Sequence, residues 1–177
     1  MTEWECHHCG HIPEGERKPD ECPNCHYLLT FWLEESTPRV AREVEGLHKI
    51  PIVFGLDERS VGKMAKAFRE ATFAEGTIMV REGEQSVSLS ILTEGKAEVR
   101  IGDKVIATLR PYQFFGELAA LGIQRRRTAD AVASGHCRCL VAVQPELQRI
   151  LSSQPSVASH ILSEVRNRYQ GEDGPRA

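Results

Sequence analysis

Phe114-Phe115-Gly116-Glu117-Leu118-Ala119-Ala120-Leu121, then Arg125-Arg126-Arg127-Thr128-Ala129, breaks a run of short β-rich segments. A glycine opening a short helix leaves backbone N–H groups free, which is a seat for a phosphate. The small side chains of Ala119 and Ala120 allow a ligand to approach the backbone. A nearby arginine neutralises and orients the anion through a planar fork of donors. Glu117, at the mouth of that helix, is suited to accept hydrogen bonds from ribose hydroxyls. The alternative for the same residues is a plain turn followed by a solvated basic loop.

Around this stretch the chain reads as helices, then strands, then helices. Thr77–Arg81, Val87–Leu92, Ala97–Ile101, Val105–Leu109 and Arg138–Val143 are short, β-rich and separated by glycines, the pattern of a sandwich or barrel. Ile101-Gly102-Asp103-Lys104 predicts a two-residue hairpin with glycine first, as a type II′ turn requires. Glu58–Ala71 predicts a helix before the strands, and Pro145–Leu151 and Ser156–Tyr169 predict two after them. Cys137 and Cys139 alternate on one strand face with Val141 and Val143, so they are expected to pack as small hydrophobes. Asp, Glu, Ser and His residues form no catalytic constellation, and the chain is expected not to be an enzyme.

Phe115-Gly116-Glu117-Leu118-Ala119, with Arg127-Thr128-Ala129 ten residues after the glutamate, resembles the phosphate-binding cassette of the cyclic-nucleotide-binding domain family. Phe54-Gly55-Leu56, Gly76, Arg81-Glu82-Gly83 and Thr93-Glu94-Gly95 agree with it, and the likeness covers roughly residues 45–170. It implies a β-barrel or jelly-roll with flanking helices. By position, Arg127 and the amides near Gly116 and Ala119 would hold a cyclic phosphate, Leu118 lies within the cassette, and Glu117 would take the ribose 2′-hydroxyl. Thr128 stands where a hydroxyl meets phosphate or, in cGMP-selective members, guanine. Asp130-Ala131 depart from the family pattern and bring a negative charge near an anion site. Arg125 and Arg126 exceed the need of one phosphodiester. They serve a second phosphate, such as that of NADPH, or simply solvate the loop.

The N-terminus carries a different chemistry. Cys6-His7-His8-Cys9 and Cys22-Pro23-Asn24-Cys25 give C-x2-C, twelve residues, C-x2-C. Each pair can wrap one ion, and the loop is long enough to bring four thiolates together tetrahedrally. Four thiolates suit zinc or a single iron. Trp4-Glu5-Cys6-x-x-Cys9-Gly10, Gly15 and Pro19-x-x-Cys22-Pro23-x-Cys25 resemble the rubredoxin-like knuckle of rubrerythrins, which implies one redox iron; zinc ribbons share the spacing. So short a segment must be folded by its metal rather than by a core.

The expected organisation is a knuckle over residues 1–28, a connector and first helix over 29–46, a cyclic-nucleotide-binding-like domain over 47–170 and a polar tail over 171–177. The class is α+β. Of the 177 residues, 41% are hydrophobic and 27% charged, as in ordinary soluble proteins. The net charge of −3 argues against nucleic-acid binding through a positive surface. Residues 1–50 hold five Lys/Arg against ten Asp/Glu, so the acidic excess belongs to the knuckle and connector. Membrane spans need roughly 18 consecutive apolar residues, far more than the run from Tyr27 to Leu33. A cytoplasmic location is expected.

The last helix presents Val157, Ile161, Leu162, Val165 and Tyr169 on one face, which suggests a homodimer. No effector segment follows it, so the output is expected through contact with another chain. The pairing of sensor and knuckle suggests a non-catalytic regulatory subunit of a redox enzyme complex, sensing cAMP or cGMP. Two alternatives stand beside it: an NADPH- or NADH-binding accessory subunit of a soluble NAD-reducing hydrogenase-like complex, and a rubredoxin-like one-electron carrier.

Overall fold

A computed structural model describes residues 4–6, 23, 32–34, 50, 57–65, 67–85, 88–124, 126–142 and 144–170. Strands β1 (Trp4–Cys6) and β2 (Trp32–Glu34) form an antiparallel pair with Cys6 opposite Trp32. Cys9, Cys22 and Cys25 lie outside the described residues, as do the connector helix and the polar tail.

Helix α1 (Glu58–Ala65) is capped by Asp57, whose Oδ1 accepts the Ser60 amide at 2.7 Å. That backbone hydrogen bond holds the Asp57 carboxyl below its ordinary range. The helix stops well before Ala71, where the periodicity had placed its end. Arg69–Phe73 is instead a strand, β3, with alternating buried and exposed residues. Its partner is the distant segment Cys137–Val141, in antiparallel register from Arg69↔Val141 to Phe73↔Cys137. Pairing with a remote segment overrides the local helical spacing that Phe68 continues.

The main sheet adds β4 (Ile78–Val80), β5 (Leu89–Ile101), β6 (Lys104–Leu109), β7 (Phe114–Phe115) and β8 (Asp130–Ala142). Its order is β3-β8-β5-β6, with β4 paired to β8 and β7 paired to β5. Leu89–Leu92 and Ala97–Ile101, expected as parts of two strands, therefore belong to one long strand. Its register against β8 shifts around Glu94, between Leu92 and Lys96. The β5–β6 hairpin turns at Gly102-Asp103 as the sequence predicts, with Gly102 at φ 55°. Helix α2 (Glu117–Ala120) interrupts the strands, and α3 (Gln144–Ser153) and α4 (Pro155–Gln170) close the described chain.

Period-two alternation divides the interior into separate cores. Leu89, Ile91, Phe114, Leu140 and Ala142 pack with Val61, Met64 and Phe68 of the α1 region and with Leu147, Ile150, Val157 and Ile161 of α3 and α4. Leu92, Phe115, Cys137, Cys139 and Val141 turn the other way and pack with Phe73, Met79, Leu109 and Ala131 inside the β layer. Both cysteines are free and buried, as their alternation predicted. The Cys137 thiol donates to the Lys96 carbonyl at 2.8 Å. Burial, with a smaller contribution from Cys137, pushes the Cys139 thiol up to about 12. Among the described residues, no helix is long and apolar enough to cross a membrane.

Candidate functional site

Phe114 and Phe115 anchor the start of the cassette, one in each core. Held there, the chain turns at Gly116, where φ is +84°, and enters α2. L-residues reach that region only at a cost. A second constraint is spatial. A Cβ on Gly116 would overlap the Arg127 Nη1 and lie 2.8 Å from the Ser88 carbonyl oxygen. Glycine is therefore what lets the arginine lie across the entrance to α2.

Arg127 is 7% exposed and Glu117 is 4% exposed, so a cation and a carboxylate are both taken from water at one spot. Burying charge is unfavourable unless hydrogen bonds compensate it. Arg127 Nη2 donates to the Ser88 carbonyl at 2.9 Å and to its Oγ at 2.8 Å. The Glu117 carbonyl accepts the Leu121 amide, and the Leu118 carbonyl accepts the amides of Ile123 and Gln124, closing the short helix. The result is a fixed guanidinium beside a glycine turn, an arrangement suited to a small anion.

Of the residues expected from sequence, Gly116, Glu117 and Arg127 are brought together. Leu118 and Ala119 lie in α2 beside them. Arg126 and Thr128 are exposed on either side of Arg127. The Arg126 Nη1 donates to the Gly83 carbonyl at 2.6 Å, so its guanidinium engages the loop before β5. Ser88 was not anticipated as a site residue. Its only signal is a hydroxyl just before β5, in step with Leu92, which packs in the β core. Among the described residues no group of three or more His, Cys, Asp or Glu gathers as a metal site.

Residues 70–154 match the family model described as the cyclic nucleotide-binding domain. The chain is 29% identical over 108 residues to the cAMP-dependent protein kinase regulatory subunit of Schizosaccharomyces pombe, covering 60% of this chain and 26% of that one. It is 27% identical over 125 residues to the human cyclic nucleotide-gated channel beta-3, covering 68% of this chain and 16% of the channel. The chain thus spans about a quarter or less of the length of these relatives. Among solved structures, the regulatory domain of Toxoplasma gondii PKA with cAMP superposes with a TM-score of 0.61 at 27% identity, covering 71% of this chain and 50% of that one. The catabolite activator protein of Thermus thermophilus shares the fold, with a TM-score of 0.63 at 23% identity over 70% of this chain and 60% of its own. The β sheet and flanking helices of residues 69–170 therefore have the fold of a cyclic nucleotide-binding domain.

Proposed function

We propose that this chain is a non-catalytic regulatory subunit that senses a cyclic nucleotide, cAMP foremost, and acts by contact with another protein. The observation that carries the reading is the buried Arg127 guanidinium, held on Ser88 across Gly116 and accompanied by the buried Glu117. The cAMP-bound structural neighbour and the kinase regulatory subunits support cAMP as the first ligand to test. In this reading the cyclic phosphate meets Arg127 and the amides that follow Gly116, and Glu117 takes the ribose.

The rest of the proposal rests on the sequence. Cys6, Cys9, Cys22 and Cys25 have the spacing to hold one iron or zinc ion, which would fold the knuckle and, if iron, carry single electrons. A redox enzyme complex is the partner that this combination fits; on α4, Val157 and Ile161 are buried in the core of the same chain, which leaves the exposed Leu162 for any homodimer contact.

Calorimetry with cAMP, cGMP and NADPH on the full chain and on Arg127→Ala tests the sensor. The wild type is expected to bind cAMP, and Arg127→Ala to lose at least tenfold in affinity, the loss expected for a charge-assisted hydrogen bond. A wild type that binds none of the three ends the reading. Binding of NADPH alone replaces it with the dinucleotide-binding accessory subunit.

A further inference from the structure

Asp130 starts β8 three residues after Arg127, opposite Arg100 of β5. A carboxylate so near a cation intended for an anionic ligand should oppose that ligand. Its hydrogen bonding gives it another task. Asp130 Oδ1 accepts the backbone amide of Glu82 at 2.6 Å, across 48 residues of sequence.

That bond secures one end of a seam. The Gly83 amide donates to the Arg127 carbonyl at 2.9 Å, and the Arg127 amide donates to the Glu84 carbonyl at 2.8 Å. Gln85 forms a bridge to Arg126, whose guanidinium reaches the Gly83 carbonyl. Both backbone polar groups of Arg127 are thus spent on the loop Glu82–Gln85, which itself belongs to no named strand. The position of the Arg127 Cα follows the position of that loop. Glu82 also accepts the Gly102 amide through Oε2 at 3.3 Å, which ties the loop to the β5–β6 turn.

We infer that Asp130 is a positioning residue for Arg127: its carboxylate pins the Glu82–Gln85 loop, and the loop fixes the backbone from which the guanidinium reaches the anion site. The inference rests on the proposed nucleotide reading for its affinity consequence, and on the seam alone for its structural one. It predicts an effect opposite in sign to simple electrostatics. If charge near the anion governs, removing the carboxylate tightens binding. If position governs, removing the acceptor loosens binding, and an uncharged acceptor of the same shape restores it.

Full-length wild type, Asp130→Ala and Asp130→Asn are compared by cAMP calorimetry and by amide hydrogen exchange without ligand. Asp130→Ser, whose shorter side chain falls short of the Glu82 amide, replaces Asp130→Ala if that variant does not fold. Asp130→Ala is expected to bind cAMP about tenfold more weakly, on the scale of a hydrogen bond to a charged group. Asp130→Asn is expected within about threefold of wild type, because its carbonyl oxygen still accepts. The Gly83 and Arg127 amides should exchange faster in Asp130→Ala and keep wild-type protection in Asp130→Asn. Tighter binding by both variants overturns the inference in favour of repulsion. Unchanged exchange at Gly83 and Arg127 in Asp130→Ala overturns the seam itself, whether or not any nucleotide binds. A wild type that binds no nucleotide, with the expected exchange pattern, defeats the proposed function and the affinity consequence while the structural seam stands.

Discussion

Replacing Gly116 with alanine separates two penalties that the fold combines at one atom. The first is conformational: a β-carbon at φ +84° costs about 1–2 kcal/mol. The second is steric, because that carbon would overlap Arg127 and crowd the Ser88 carbonyl, and overpacking costs about 1–3 kcal/mol. Gly76 supplies the control, since its φ is +78° and a Cβ there would meet nothing within 4 Å. Gly76→Ala should therefore lose about 1–2 kcal/mol by urea unfolding and Gly116→Ala about 2–5 kcal/mol. In an Arg127→Ala background the excess at position 116 should shrink by most of its size, leaving the part due to Ser88. Calorimetry adds the functional half: Gly116→Ala displaces the guanidinium and weakens cAMP binding at least tenfold, while Gly76→Ala changes it less than twofold. Equal destabilisation by the two alanines, or full nucleotide affinity in Gly116→Ala, would refute the packing of Arg127 against that glycine.

Two further outcomes follow. Cys139 has its thiol raised from 9.0 to about 12, so its contribution to stability is fully present below pH 9 and is lost as pH rises from about 9 toward 12. Wild type should therefore lose stability over that window by up to about 1.4 kcal/mol per pH unit more than Cys139→Ala, measured by urea titration; parallel profiles would contradict the burial of that thiol. At the N-terminus, metal analysis of the full chain should give one ion per chain. Cys9→Ser should abolish it and Cys137→Ala should leave it intact; a red ferric-thiolate spectrum identifies iron, colourless protein identifies zinc, and metal-free wild type rejects the knuckle.

What could be read from sequence was local. Gly102 and Asp103 between β-rich runs determine a turn within four residues, and the structure has that turn. Gly116, Glu117 and Arg127 were legible because a cassette of fixed spacing carries them. The strand Arg69–Phe73 was not, for three reasons. Val61, Met64, Ala65 and Phe68 prolong a helical spacing up to its first residue, and its inward positions begin with a buried arginine instead of an apolar residue. Its partner lies more than sixty residues away, and no local pattern reports that. Ser88 was hidden for a related reason. A hydroxyl just ahead of a hydrophobic strand has no meaning until the chain returns, 39 residues later, with the guanidinium that uses it.

The division of consecutive residues between two cores also determines how substitutions combine. Ile91 and Leu92 are joined by a peptide bond but face different interiors, whereas Leu92 and Phe115 are distant in sequence and share one. Epistasis in this domain should therefore follow parity rather than proximity along the chain: Leu92 couples to Phe115, while truncations at Ile91 and Leu92 add. The Phe114-Phe115 pair likewise sends neighbouring side chains into both interiors, here at the threshold of α2. A change there is registered by two otherwise separate sets of contacts.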